Sequence, residues 1–342
     1  MRTDDTLRMP AEWEPHAGTW LAWPHRTSDW PGKSACIRPV YGEIVRVLSR
    51  FERVEIIVTS EAMQRRATLT LQASGADTAN VSFHIAATNR SWVRDSGAIF
   101  VKDEADNTVA LDWQFNAWAK YTDWALDDAL PAHMAAWAGV PALQPQHNGH
   151  RVVLEGGSID VNGMGRLLTT EECLLSRVQE RNPGFHRSDY EELFARYLGI
   201  EESIWLHQGI VGDDTHGHVD DLARFVTPDT VVAVVEQNQD DANYTPLQTN
   251  VERLNAVRGL SVVPLPMPAP VIYDGTRLPA SYANFYIANG VVLVPTFNDP
   301  MDRVALGLLA ELFPSRDVVG IHAVDLVWGL GTLHCMTQQR PA

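Results

Sequence analysis

A strand, a tight turn and a second strand recur along this chain at a nearly constant interval. The pattern is Gly97–Val101 with Val109–Trp113, Gly157–Val161 with Arg166–Thr170, Leu222–Val226 with Val231–Val235, and Asn284–Ala288 with Val291–Pro295. Asn162-Gly163, Pro228-Asp229 and Asn289-Gly290 lie between the paired runs, and such residues supply or tolerate the backbone angles of a tight turn. Counted from Gly97, Gly157, Leu222 and Asn284, the steps are 60, 65 and 62 residues. A plain mixed sheet would explain the alternation but not this regularity.

Helical apolar spacing over 38–50, 125–138, 188–198, 245–258 and 301–313 separates the hairpins. Short β-rich runs follow at Val54–Val58, Ser203–Leu206 and Val318–Ile321. The unit is therefore strand, strand, helix, strand. Four units leave a fifth to be assembled from the β-rich start, Gly18–Trp23, and the tail around Cys335. Radial closure of this kind removes exposed sheet edges and draws the tail strand inside. The expected fold is α/β, a five-bladed propeller of pseudo-five-fold repeats about 60 residues long around a central site. Residues 1–342 are expected to form one domain, its fifth blade closed by both terminal segments.

Composition narrows the function. The chain has 342 residues, 45% of them hydrophobic, enough for a large core. Cys36, Cys173 and Cys335 are far apart with no CxxC pair, which suggests neither a disulfide framework nor a thiolate zinc site. The start, Met1-Arg-Thr-Asp-Asp-Thr, lacks the basic-then-apolar pattern of a secretory leader. A reducing, cytoplasmic setting is expected. No stretch approaches the ~20 apolar residues of a membrane span. The net charge of −16 argues against nucleic acid and anionic membrane and favours a cationic ligand. A homo-oligomer is compatible with the sequence.

Residues able to carry chemistry fall at successive units. Cys335 stands in Gly331-Thr-Leu-His334-Cys335-Met-Thr-Gln-Gln339. In Gly212–Asp221, a strand from Gly217 to Phe225 would project His218 and Asp220 from one face. Thr215–Asp221 also looks like the T-H-x-H-x-D-H run of metallo-β-lactamase-like hydrolases. The last histidine is Asp221 here, however, and no histidine lies between Val219 and Ile321 to complete a ligand set, so no metal is expected. Trp92-Val-Arg94-Asp95-Ser-Gly97 offers a carboxylate at a strand entrance and an indole able to stack on a planar cation, with Arg94 as a structural ion-pair partner. Leu154-Glu155-Gly156-Gly157-Ser158 offers another carboxylate beside glycines that permit close approach. In a ring these positions converge, and three carboxylates there would repel one another unless a cation sat among them.

Several ordered blocks carry a family resemblance. They are Met9-Pro-Ala-Glu12-Trp13-Glu-Pro, Ser91–Gly97, Leu111–Trp118, Glu155–Ser158, Leu168–Leu175, Gly217–Asp220 and His334–Gln339. With them the chain resembles the agmatine deiminases and the bacterial (Porphyromonas-type) peptidyl-arginine deiminases of the guanidino-group-modifying superfamily. The resemblance implies the pentein fold and hydrolysis of a guanidinium C–N bond, with agmatine giving N-carbamoylputrescine and ammonia. It assigns Cys335 as the nucleophile that forms a covalent amidino intermediate, and His218 as general acid and then base. Asp95 and Asp220 would clamp the guanidinium, Trp92 would stack on it, and Glu155 would hold His218; His334 reads as a bystander. It implies neither metal nor organic cofactor. Rival readings are deimination of arginine or peptidyl-arginine, amidino transfer to an amine, and a non-catalytic binder of arginine-like ligands. The chain departs from the family at Gly329-Leu-Gly-Thr-Leu-His-Cys335 (for G-G-G-N-I-H-C) and at Arg90 and Ala98 in the N-D-x-W-x-R-D-x-G-P run. It departs again at Trp118-Ala-Lys-Tyr121 (for W-G-G-K-Y), and recognition of the far end of the substrate stays unassigned.

Overall fold

The computed structural model describes residues 6–342, so the reading of the first five residues lies outside the described range. Among the described residues the strands form five mixed sheets of three or four strands, together with two small two-stranded ribbons. Four of the mixed sheets share one plan, an antiparallel pair extended by a parallel strand. They are Ile99–Lys102, Thr108–Leu111 and Ala142–Leu143; Asp160–Val161, Arg166–Thr170 and Glu202–Leu206; Ala223–Thr227, Thr230–Val235 and Ser261–Pro266; and Tyr286–Ala288, Val291–Thr296 and Asp317–His322. Parallel neighbours require a crossover. Helices Leu130–Ala138, Arg187–Leu198, Tyr244–Asn255 and Pro300–Leu312 lie in these crossovers, close to the spans that apolar spacing predicts.

The fifth sheet joins the two ends of the chain. Thr337–Pro341 pairs antiparallel with His16–Ala22, which pairs parallel with Val54–Val58 across helix Ser34–Leu48. An additional helix, Glu61–Ser74, leads to a fourth strand, Val81–Ile85, that the 60-residue period does not anticipate. Ser60 caps that helix by accepting from the Met63 amide at 3.2 Å, and Gly75 ends it in the left-handed region. Each sheet is open, and none closes on itself among the described residues. The fold is thus a mixed α/β assembly of similar units.

Three local expectations are corrected. Gly217–Phe225 is not a strand: Val219–Asp221 forms a 3₁₀ turn, His218 precedes it, and the strand begins at Ala223. Gly217 has φ +96°, a left-handed angle that ends extended structure there. Gly156–Ser158 is likewise a 3₁₀ turn, leaving only Asp160–Val161 as strand. Cys335 lies in a turn immediately before Thr337–Pro341, not within the strand.

The interior carries charge as well as hydrocarbon. Glu12, in the amino-terminal loop, accepts from the Ile287 amide at 2.8 Å and from Arg94 Nη2 at 3.3 Å. It also lies 2.9 Å from Arg224 Nη2 and 2.8 Å from His334 Nε2. Arg224 Nε donates in turn to Asp160 at 2.8 Å. All five side chains are buried, and removing one member of such a network costs about 3–5 kcal/mol by stranding its partners. Glu12 thereby ties the start of the chain to the turn that carries Cys335.

Candidate active site

The predicted residues meet at loops and turns rather than on strand faces. Asp95 sits in the short helix Val93–Ser96, Glu155 just before the Gly156–Ser158 turn, and His218 and Asp220 at the Val219–Asp221 turn. A Cβ placed on Gly157 would lie 2.5 Å from His218 Nδ1, 2.8 Å from Asp95 Oδ1 and 3.1 Å from Asp220 Oδ2. Three side chains, Asp95 from one segment and His218 and Asp220 from another, therefore converge on one bare α-carbon.

Cys335 completes the group. Its Sγ lies 3.7 Å from Asp220 Oδ2 and accepts from Asn284 Nδ2 at 3.1 Å. Asn284 Oδ1 accepts from Thr332 Oγ1 at 2.8 Å and from the His334 amide at 3.0 Å, which fixes the turn around the thiol. Gly331 provides clearance, since a Cβ there would lie 3.0 Å from the Trp92 ring and 3.2 Å from Cys335 Sγ.

Asp95 accepts from Trp118 Nε1 at 2.9 Å and from the Gly157 amide at 3.1 Å. His218 Nδ1 lies 3.7 Å from Asp95 Oδ1 and its Nε2 lies 3.9 Å from Glu155 Oε2, so neither ring nitrogen has a hydrogen-bond partner among the described residues. Arg181 Nε donates to the other oxygen of Glu155 at 3.0 Å. Asp220 Oδ2 lies 2.7 Å from His334 Nδ1, while its Oδ1 is unpartnered. His334 is therefore no bystander. It stands between Asp220 and Glu12, with one ring nitrogen within hydrogen-bonding distance of each carboxylate.

The electrostatics follow from burial and neighbours. Burial, then Asp220, Asp221 and Asp95, push the Cys335 thiol well above its ordinary range. Burial alone would discharge His218, but Asp95, Cys173 and Glu155 raise it well above a free imidazole. Burial also opposes a charge on Glu155, yet Arg181 and His218 bring it down to about 2. Asp220 is held below its ordinary value by His334 in spite of burial. Asp95 rises to about 6 through burial, with Asp220 and Glu155 adding to the effect and His218 opposing it.

A cavity of about 570 Å³ reaches this group, and its wall includes Trp92, Asp95, Trp118, Tyr121, Gly331 and Cys335. His218, Asp220 and Glu155 lie behind that wall, fully buried. Residues outside the predicted set also shape the site: Glu12, Trp118, Cys173, Asn284 and His334. Cys173, Glu155 and His218 bring donor atoms within 4.8 Å of one another. Of these residues Glu12, Trp118, Cys173 and His334 stand inside the family-like blocks, yet no local pattern marks their partners, which are distant in the chain.

A family model described as Porphyromonas-type peptidyl-arginine deiminase matches residues 8–341. The chain belongs to that family. Within reach of the family are a Stutzerimonas stutzeri agmatine deiminase, 35% identical over 99% of this chain and 96% of its own, and one from Medicago truncatula, 35% identical over 98% and 96%. Among solved structures, the Enterococcus faecalis agmatine deiminase superposes with a TM-score of 0.90 at 31% identity, covering 98% of this chain and 96% of its own. A substrate-bound cysteine-to-serine variant of the C. jejuni agmatine deiminase also gives 0.90, at 30% identity over 100% and 98%. An amidinotransferase from Microseira wollei shares the fold alone, at 12% identity and a TM-score of 0.52.

Proposed function

We propose that this protein is a hydrolytic guanidine deiminase acting on agmatine, giving N-carbamoylputrescine and ammonia. The observation that carries the reading is Cys335 Sγ on the wall of the same cavity as Asp95, with Asp220 beside the sulfur and His218 behind. In this reading residues 1–342 form one catalytic domain, and the five sheets are the blades of a pentein propeller around the site.

The chemistry runs as follows. The planar guanidinium lies between Asp95 and Asp220, whose unpartnered Oδ1 is free to accept from it, with Trp92 beside it. The bound cation offsets the carboxylates that hold the thiol neutral, so Cys335 gives its proton up to solvent when substrate arrives. The thiolate attacks the guanidinium carbon. The C–N bond to one terminal nitrogen then breaks, and charged His218 donates the proton that lets ammonia leave. His218, now neutral and oriented by Glu155, takes a proton from water, which attacks the amidino carbon. The C–S bond breaks, returning the thiolate and releasing the ureido product. Acid–base help of this kind contributes ~10²–10⁴-fold.

The test is to incubate the pure protein with agmatine, arginine and an arginyl peptide, following ureido product and ammonia. Ureido product and equimolar ammonia from agmatine, with no added amine, are expected. Cys335→Ala should lower kcat on the order of 10⁴-fold or more, as loss of a nucleophile does elsewhere. No product from any of the three, or full activity in Cys335→Ala, would overturn the reading. Ammonia-free turnover that needs an acceptor amine would make the protein an amidinotransferase.

A further inference from the structure

We propose that Asp29 is the residue that receives the far end of the substrate, and that it selects a terminal ammonium over a neutral or anionic group. The inference rests on the guanidine-deiminase reading and extends it to the outer half of the cavity, where the family-like motifs name no residue.

Asp29 lines the same cavity as Asp95 and Cys335. Its side chain is only 8% exposed, its Oδ1 meets Arg26 Nε only at 3.5 Å, and its Oδ2 has no hydrogen-bond partner among the described residues. The next residue, Trp30, packs its ring 5.4 Å from that of Trp92, and Trp92 closes on the thiol across Gly331. Asp29 thus shares the cavity wall with the indole predicted to stack on the guanidinium and adjoins, in the chain, the ring packed against that indole.

The other charges at this end are already matched. Arg90 donates to the Asp123 carboxylate at 2.8 Å and to its carbonyl at 2.7 Å. Arg26 binds the second oxygen of Asp123. Lys120 and the Tyr121 hydroxyl occupy the two oxygens of Asp214. The cations therefore sit on Asp123 and Asp214, and among the described carboxylates at this end of the cavity the unpartnered acceptor is Asp29 Oδ2. A buried acceptor favours a donor that carries positive charge, and leaving it unmatched disfavours a ligand that cannot donate. An α-carboxylate at the same point would instead face Asp29 directly. Burial raises Asp29 to about 6 despite Arg90 and Arg26, and an ammonium beside it would restore its charge.

Asp29→Asn keeps the shape and removes the charge. The test compares kcat/KM for agmatine with that for n-butylguanidine, which has the same carbon chain without the amine. In the natural protein agmatine should be strongly preferred. In Asp29→Asn that preference should fall roughly 10- to 100-fold, mainly through KM for agmatine. Asp29→Lys should shift preference toward 4-guanidinobutanoate, whose terminal group is an anion. A preference ratio that does not move in Asp29→Asn, while agmatine is still turned over, would overturn the assignment and leave the proposed function standing. Failure of the natural protein to turn over any guanidine would overturn both.

Discussion

In the proposed mechanism, the carboxylates that attract a guanidinium also hold the nearby thiol neutral, so the resting site is poised for a cation and inert without one. On that reading Asp95 is the group whose ionisation governs capture. Its surroundings are His218, Asp220, Glu155, the Trp118 indole and the Gly157 amide. Glu155 at about 2 and Asp220 below its ordinary value stay ionised across the working range, whereas Asp95 at about 6 does not. Below that pH Asp95 is neutral, and above it Asp95 carries the charge that binds the cation. For n-butylguanidine, which has no ammonium to meet Asp29, kcat/KM should therefore rise with pH through about 6, because kcat/KM reports the free enzyme. The limb in kcat should lie lower, since bound guanidinium stabilises the ionised carboxylate. A kcat/KM that stays flat down to pH 5 would contradict this account. At this scale the motifs carrying Cys335, Asp95, Glu155, His218 and Asp220 were legible in sequence, their roles came from the family resemblance, and the structure brings the five together. The parts played by Glu12 and Asn284 were not legible, because each acts only through partners far away in the chain, on His334 and Cys335 respectively.

Turns, rather than strands, hold the reacting groups. Alternation along a strand would bring His218 and Asp220 to one face, but the chain achieves the same meeting with a 3₁₀ turn entered through Gly217. That correction has a physical origin. Strand propensity in Val219–Phe225 is real, yet His218 donates its amide to Asp213 Oδ2 at 3.1 Å and Thr215 Oγ1 accepts from the same amide at 3.3 Å, which bends the segment before the ladder begins. The Trp118 loop shows the same economy. Ala117, Trp118 and Ala119 have φ of 51°, 58° and 52°, a left-handed run of non-glycine residues in which Ala119 stands where the related pattern carries glycine. Such angles cost roughly 1–2 kcal/mol per residue and persist where surrounding contacts hold them. Here the indole reaches Asp95 as a result. Gly157 is the sharpest test of the turn geometry. Gly157→Ala should displace His218, Asp95 or Asp220 by the fraction of an ångström to an ångström needed to clear a contact, lowering kcat/KM on the order of 10²-fold. Overpacking should cost only about 1–3 kcal/mol in stability. Steady-state kinetics beside thermal unfolding would check this, and full activity in Gly157→Ala would show that the convergence has slack.

Across the whole molecule, the interval of about 60 residues captured four units because each is contiguous and closed by its own tight turn. The fifth sheet was anticipated as a union of the two ends, but its fourth strand, Val81–Ile85, falls outside any period and was not. Joining the ends has an energetic consequence. Thr337–Pro341 is paired along its length with His16–Ala22, and Gln339 Oε1 accepts from Arg94 Nη1 at 2.7 Å. Arg94 donates through Nε to the His334 carbonyl at 3.2 Å, and its amide donates to the Cys335 carbonyl at 3.2 Å. The strand therefore seals the edge of the fifth sheet and also locks the nucleophile's turn against the loop that carries Asp95. Ending the chain after Met336 would retain Cys335 yet strip the ladder from His16–Ala22 and free the Arg94 guanidinium. The loss is comparable with the net stability of a typical domain, ~5–15 kcal/mol. The shortened chain should show no cooperative thermal transition and rapid proteolysis near residues 16–22. A shortened chain that melts like the full one would mean the strand is only a cover. Native-like melting with lost activity would assign the strand to positioning the turn rather than to closing the fold.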